Sequence, residues 1–288
     1  MPPVSTISLS PIVLDPLLEN GLREDIGRGD RVTDSLFAID VPIGNARWIA
    51  KAKGVVVGLS VAARVFSLLD DRACFQPQIE EGSRCEPGET IATISAPQNV
   101  LLTGERVALN LAMKLSGIAT LTREYVDRIA DLPTQLTDTR KTTPGLRILE
   151  KYATRMGGAI NHRFGLDDAA MIKDNHIVAA GGIKNAIDRV RSQLPYPLSI
   201  EVETTNLEEV KAAIAGGADI VMLDNMAVET MREAVTWIRE QSDRVKIEAS
   251  GNITLDNLRT IAETGVDYIS TSAPITRSTW LDLSMRMD

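Results

Sequence analysis

From residue 134 onward, short runs rich in β-branched residues alternate with longer amphipathic stretches. The runs at 134–139, 169–173, 198–204, 218–224, 245–249 and 266–271 read as strands. The stretches at 145–156, 182–193, 206–215, 227–241 and 254–264 carry apolar residues at helical spacing. Asn206 and Thr254 stand where helix N-caps belong, and Gly216-Gly217 and Gly265 stand where helices stop. This alternation predicts βα units and parallel strands, in a number short of a full barrel. Before residue 134 the pattern differs. Residues 11–25 put Leu14, Leu17, Leu18 and Leu22 on one helical face. Segments 46–58 and 90–95 read as strands, 60–70 as a helix capped by Ser60, and Glu86-Pro87-Gly88-Glu89 as a turn. Residues 104–131 read as one long helix with Gly117 inside it.

Composition narrows the class. The chain has 288 residues, 44% hydrophobic and 24% charged, enough to bury a core without disulfides or metals. Its net charge is −8 and only 4% of residues are aromatic. That argues against a nucleic-acid surface, which needs basic stripes or stacking platforms, and against an anionic membrane. No Gly-x-Gly-x-x-Gly follows a strand, which argues against a dinucleotide-binding fold. Cys74 and Cys85 fit no metal or redox spacing and read as reduced packing residues of a cytoplasmic protein. The N-terminal stretch reads as lacking a signal peptide, and no apolar run is long enough to span a membrane.

The candidate chemistry lies at the strand ends, where βα barrels carry it. In order, these ends hold Arg140-Lys141, Lys173 with His176, Glu201 and Glu203, Asp224-Asn225, Ser250-Gly251-Asn252 and Thr271-Ser272. Glu201 shares a strand face with Glu203 and is read as the deeper, secondary carboxylate. Arg147, Lys151 and Arg155 are read as the solvated face of helix 145–156. Arg140, Lys141, Arg163 and Lys173 are left as anion contacts. His162, in the loop after Gly157-Gly158, reads as functional and His176 as structural, and their spacing makes no zinc site. Arginine forks facing carboxylates and small-residue loops suit a phosphorylated polyanion. Backbone N–H groups at Ser250-Gly251 suit a terminal phosphate, and Glu203 and Asp224 suit Mg²⁺ or sugar hydroxyls.

At these residues the chain resembles the quinolinate phosphoribosyltransferase family. The resemblance runs through LREDIGRGD (22–30), GERVALNLAMKLSGIATLT (104–122), DTRKTTPGLRILEKYA (138–153) and GGAINHRFGLDDAAMIKDNHI (157–177). It continues through EVE (201–203), MLDN (222–225), EASGNI (248–253) and TGVDYIS (264–270). It implies transfer of phosphoribose from phosphoribosyl pyrophosphate to quinolinate with decarboxylation, giving nicotinate mononucleotide in NAD biosynthesis. It implies an α/β fold: an N-terminal α/β sandwich (1–115 and 274–288) and an incomplete α/β barrel of six to seven parallel strands (116–273). Catalysis would rest on Lys141, Lys173, Glu203 and Asp224. Arg106, Arg140, His162, Arg163 and Lys173 would bind quinolinate, and Ser250, Gly251, Ser272 and Ala273 the 5′-phosphate. Mg²⁺ would arrive with phosphoribosyl pyrophosphate. The protein would be a homodimer or higher homo-oligomer, with Arg106 crossing to the partner's site. Ser272 departs from a frequent glycine, and Thr276 lies where some members have a histidine. Competing readings are a pyrophosphorylase-like protein of molybdenum transport, a nicotinate-type phosphoribosyltransferase, or a silent sensor of phosphorylated metabolites.

Overall fold

The computed structural model describes residues 9–37 and 40–288; residues 1–8, part of the stretch read for a leader, lie outside them. The elements begin with α1 (Pro11–Ile26), α2 (Arg31–Leu36), β1 (Ile43–Ala50), β2 (Gly54–Val55), α3 (Leu59–Leu69), β3 (Cys74–Pro77), β4 (Arg84–Cys85), β5 (Thr90–Pro97) and α4 (Gln98–Arg128). Next come β6 (Gln135–Thr137), α5 (Arg147–Met156), β7 (Ala170–Ile172), α6 (Asp174–Ala180), α7 (Ile183–Gln193), β8 (Ile200–Thr204) and α8 (Leu207–Gly216). The chain ends with β9 (Ile220–Asp224), α9 (Val228–Gln241), β10 (Lys246–Ser250), α10 (Leu258–Ala262), β11 (Tyr268–Ser270), α11 (Ala273–Thr276) and β12 (Leu283–Met287). Residues up to Arg123, with Thr143–Gly158 and Arg277–Asp288, form one compact unit. Glu124–Thr142 and Ala159–Thr276 form the other. No helix among the described residues is long and apolar enough to cross a membrane.

The first unit is built on an antiparallel sheet in the order β12-β1-β5-β3. Alternation along β1 buries Gly44, Ala46, Trp48 and Ala50. The Trp48 ring meets Phe75 and Phe66 edge-on at 5.3 and 6.4 Å. Helices α1 and α3 add Leu14, Leu18 and Leu22 and Val61, Val65 and Phe66 to the core, and Arg64 forks onto Asp15 at 2.6 and 2.7 Å. Ser60 is not the cap of α3. The helix starts one residue earlier behind Gly58 (φ 99°), and the Glu81 carboxylate accepts the N–H groups of Gly58 and Ser60. A distant carboxylate thus does what the local hydroxyl was expected to do. Burial raises the pKa of Glu81 despite these bonds.

Helix α4 begins at Gln98, earlier than its pattern predicts, directly after β5. A Cβ at Gly117 would stand 2.0 Å from the Thr279 carbonyl, so glycine there lets the C-terminal segment pass against the helix. Ser116 both donates to the Val57 carbonyl and accepts its N–H, at 3.0 and 2.9 Å. Helix α5 groups with this unit. Glu150 is fully buried, accepts the Thr143 N–H at 2.8 Å and pairs with Lys114 at 3.0 Å. Lys151 is fully buried as well, so the Arg147–Lys151–Arg155 stripe is not a solvated face. Close approach to α4 explains this: a Cβ at Gly157 would fall 2.5 Å from Thr122.

The second unit is a six-stranded parallel sheet in the order β6-β11-β10-β9-β8-β7. Beyond β6 there is one isolated parallel bridge, Thr137 to Ile160, so the curved sheet stays an incomplete α/β barrel. Two strands start with the same brace. Asp219 accepts the Ile200 N–H and pairs with Arg191; Asp267 accepts the Ile247 N–H and pairs with Arg239, all at 2.7–2.9 Å. Asn206 caps α8, accepting the Glu209 N–H, and Gly217 ends that helix at φ 85°. Thr254 opens the turn that leads into α10 at Leu258: its Oγ1 accepts the Asn257 N–H at 3.4 Å while Asn257 Oδ1 accepts the Thr254 N–H at 2.8 Å. Helix α6, absent from the sequence pattern, has Lys173 as its cap, with His176 Nδ1 accepting the Lys173 N–H at 3.0 Å.

Candidate active site

Residues paired across parallel strands point to one side of a sheet. The register puts Glu203, Met222, Glu248 and Tyr268 in one row, with Asp224 and Ser250 one step further along their strands. The opposite side carries Val202, Val221, Leu223, Ile247, Ala249 and Ile269, all buried. Apolar and polar positions thus alternate so that one face builds the fold and the other carries the chemistry.

At the C-terminal ends of β7 and β8, the Lys173 ammonium pairs with Glu203. On the next strand, Asp224 is oriented by a short relay. Asn252 Nδ2 donates to Asn225 Oδ1 at 3.0 Å, and Asn225 Nδ2 donates to Asp224 Oδ2 at 2.8 Å. Both asparagines have positive φ (53° and 50°), and Gly251 between the loops has φ 95°. A Cβ on Gly251 would lie 2.2 Å from Asn225 Oδ1, so only glycine permits this approach. Backbone conformations of this kind cost energy and persist where tertiary contacts enforce them. The loops after β9 and β10 are therefore one preorganised piece.

A second cluster lies on the same inner face. Asp138, buried just past β6, accepts the His162 N–H at 2.9 Å and Asn161 Nδ2–H at 2.7 Å. His162 Nε2 faces Glu201 at 3.1 Å and Glu248 at 3.5 Å. Both carboxylates are buried. Burial alone would lower the imidazole's pKa, but Glu201 and Glu248 push it up to about 10. Burial raises the pKa of Glu201, and the charge of Glu248 adds to it. The donor atoms of the three residues lie within 4.8 Å of one another. His162 Nδ1 lies 2.8 Å from the Arg163 N–H, which turns Nε2 toward the two carboxylates. Arg163 donates to the Ala169 carbonyl at 2.8 Å. Burial, and then Arg140, pull its guanidinium below its usual pKa.

The second unit holds Arg140, Lys141, His162, Arg163, Lys173, Glu203, Asp224, Ser250, Gly251, Ser272 and Ala273. Lys141 is exposed just past β6. Ser272 opens the α11 turn, its carbonyl accepting the Ile275 and Thr276 N–H groups, while the Ala273 N–H is taken by Thr271 Oγ1 at 3.2 Å. Arg106 is exposed on α4 and belongs to the first unit. Glu248, Asn225, Asn252 and Asp138 were not singled out from the sequence. Glu248 had a legible signal, an even offset from Ser250 along its strand. The asparagines had none, because their role depends on two loops meeting.

Two family descriptions match the chain: quinolinate phosphoribosyl transferase, N-terminal domain, over residues 30–116, and its C-terminal domain over 118–286. A probable nicotinate-nucleotide pyrophosphorylase [carboxylating] of Synechocystis sp. is 59% identical over 276 residues, 96% of this chain and 93% of that protein. The human nicotinate-nucleotide pyrophosphorylase [carboxylating] is 37% identical over 281 residues, 97% and 93% of the two chains. Among solved structures, NadC from Streptococcus pyogenes superposes with a TM-score of 0.93 at 40% identity, covering 98% of this chain and 99% of its own.

Proposed function

The chain belongs to the quinolinate phosphoribosyltransferase family, and from that premise we propose that it joins quinolinate to phosphoribosyl pyrophosphate with loss of CO₂. The ring nitrogen attacks the anomeric carbon as the bond to pyrophosphate breaks, and the leaving pyrophosphate takes that bond's electron pair. Nicotinate mononucleotide results, and the reaction serves NAD biosynthesis. The observation that carries this reading is the Lys173–Glu203 pair with Asp224 on the neighbouring strand. A cation is thereby placed beside carboxylates where a sugar cation and a departing polyanion would form together.

The roles follow from charge. Lys173 and Lys141 neutralise the leaving pyrophosphate, while Glu203 and Asp224 stabilise positive charge on the sugar. The relay through Asn225 and Asn252 holds Asp224 so that little reorganisation is needed as that charge develops. Ser250 and Gly251, with the turn at Ser272 and Ala273, receive the 5′-phosphate; the Thr271 bond to the Ala273 N–H leaves that amide less available. Arg140, Arg163 and Lys173 face quinolinate's carboxylates. The hard carboxylate oxygens of Glu203 and Asp224 suit Mg²⁺ travelling with phosphoribosyl pyrophosphate; when bound, the ion supplies further charge neutralisation. Once the ring nitrogen is ribosylated, its positive charge stabilises the electron pair that departing CO₂ leaves on C2, and a proton from water completes the C2–H bond, so no organic cofactor is needed.

The same reading makes the protein a homodimer or higher homo-oligomer in which Arg106 of a second copy completes the quinolinate pocket. Its support is that Arg106 is exposed on α4 in the first unit, whereas the other site residues belong to the second. Incubating the protein with quinolinate, phosphoribosyl pyrophosphate and Mg²⁺ tests the activity directly. Stoichiometric nicotinate mononucleotide and CO₂ are expected, and a protein that yields neither overturns the reading.

A further inference from the structure

We propose that Asp138 is a positioning residue for quinolinate, its carboxylate clamping the 161–163 segment to the end of β6 and so fixing the spacing of Arg140 and Arg163. That role rests on the reading that both arginines face quinolinate; the clamp itself does not.

Strand β6 is the last of the parallel sheet on its side, and the chain at 160–163 joins it through a single bridge, Thr137 to Ile160. Two main-chain bonds make that bridge. The Ile160 N–H donates to the Leu136 carbonyl at 2.9 Å, and the Asp138 N–H donates to the Ile160 carbonyl at 3.3 Å. In a parallel pair the next rung would run from the His162 N–H to the Asp138 carbonyl. The His162 N–H instead donates to Asp138 Oδ1 at 2.9 Å. The side chain thus takes the place of its own main chain, and pairing ends one rung early. Asp138 Oδ2 accepts from Asn161 Nδ2 at 2.7 Å, so both carboxylate oxygens hold the same segment. Asp138 is 2% exposed, and water hardly competes for these bonds.

Arg140 follows Asp138 by two residues on one side of the clamp, and Arg163 follows His162 on the other. Burial lowers the Arg163 pKa and the charge of Arg140 lowers it further, so the two guanidinium groups act on each other. Like charges push their segments apart unless a tie resists. Arg163 Nη1 is fixed on the Ala169 carbonyl at 2.8 Å, and Arg140 Nε is buried with no hydrogen-bond partner. Asp138 supplies the tie at the roots of both side chains. Quinolinate carries its carboxylates on adjacent ring carbons, so its fit depends on the spacing of the two cations. Misplacing such a group by about 1 Å costs up to about a hundredfold. Apart from Lys141, the groups proposed for phosphoribosyl pyrophosphate lie on other strands and do not depend on this clamp.

Both partners of Asp138 are donors, which makes an amide at this position a sharp test. Asp138→Asn turns an NH₂ group against one of them. It should raise the KM for quinolinate about tenfold and change that for phosphoribosyl pyrophosphate by less than about twofold. Adding Asn161→Asp reverses the direction of the second bond and leaves an oxygen for the His162 N–H. The swap Asp138→Asn/Asn161→Asp should therefore recover most of the loss. Asn161→Ala changes a half-buried residue, keeps the His162 bond, and serves if Asp138→Asn folds poorly; it should raise the same KM about threefold. Both KM values rising together, or a swap no better than Asp138→Asn, would overturn the positioning role. The clamp is read without turnover from the His162 amide, which should exchange with solvent about tenfold faster in Asp138→Asn and slow again in the swap. An unchanged exchange rate in Asp138→Asn would overturn the clamp. Wild-type protein that neither binds nor turns over quinolinate would sink the reading of the two arginines, while the amide would still decide the clamp.

Discussion

At the scale of single residues, the proposed site separates groups assigned to the substrate from groups that hold them. Asp224→Ala removes a carboxylate from the proposed sugar cation and should lower kcat about a hundredfold. Asn225→Gly keeps the positive φ without strain and deletes only the relay. It should lower kcat about tenfold with an unchanged melting temperature, because only the aim of Asp224 is lost. Equal kcat for Asn225→Gly and wild type would show that Asp224 needs no such support. The histidine cluster also links to stability. Its folded pKa of about 10 lies above the ordinary 6.5, so protonation favours the folded state. The stability it adds is complete below about pH 6.5 and is lost as pH rises through about 10. Urea unfolding should therefore show wild type losing more stability over that interval than the Glu201→Gln/Glu248→Gln double variant. Parallel curves would mean that folding does not raise the cluster's proton affinity.

At the scale of elements, α4 shows how local preference yields to packing. Glycine in a helix interior costs about 1 kcal/mol relative to alanine, so Gly117→Ala should stabilise an isolated helix. Here the added methyl would stand 2.0 Å from the Thr279 carbonyl, a backbone atom that cannot swing aside. Steric repulsion exceeds the helical gain, and we expect a net loss of about 1–3 kcal/mol by urea unfolding. A more stable Gly117→Ala protein would mean that the C-terminal segment relaxes freely. The Asp219 and Asp267 braces show the opposite case, in which position along the chain repeats a solution. Each aspartate lies just before a strand, accepts an N–H from the start of the neighbouring strand (Ile200 or Ile247) and holds an arginine of the helix that precedes that neighbour.

At the scale of the whole molecule, the proposed catalytic assembly is larger than one chain. Arg106→Ala and Lys173→Ala proteins should each be nearly inactive. Mixing them under conditions of subunit exchange should restore up to about a quarter of wild-type activity. Half of the dimers would be mixed, and one of the two sites in each would have both residues intact. Exchange confirmed by mass spectrometry without recovery would place Arg106 outside the partner's site.

The sequence by itself determined the βα alternation, all six strands of the parallel sheet and the residues at their ends. Those signals are local: β-branched runs, helical spacing and the parity that puts Glu201, Glu203 and Asp224 on one face follow from the geometry of a strand. It also carried the family, through motifs that run along nearly the whole chain. Only the tertiary structure decided which groups hold which. Glu81 capping α3, Lys151 buried in α5, the Asn252–Asn225–Asp224 relay and the His162–Glu201–Glu248 cluster each join residues far apart in the chain or on different elements. Hydrophobic periodicity records whether a position faces the core, but not which polar group waits there. A buried lysine, or a buried glutamate facing a histidine, therefore reads in sequence like any solvated charge.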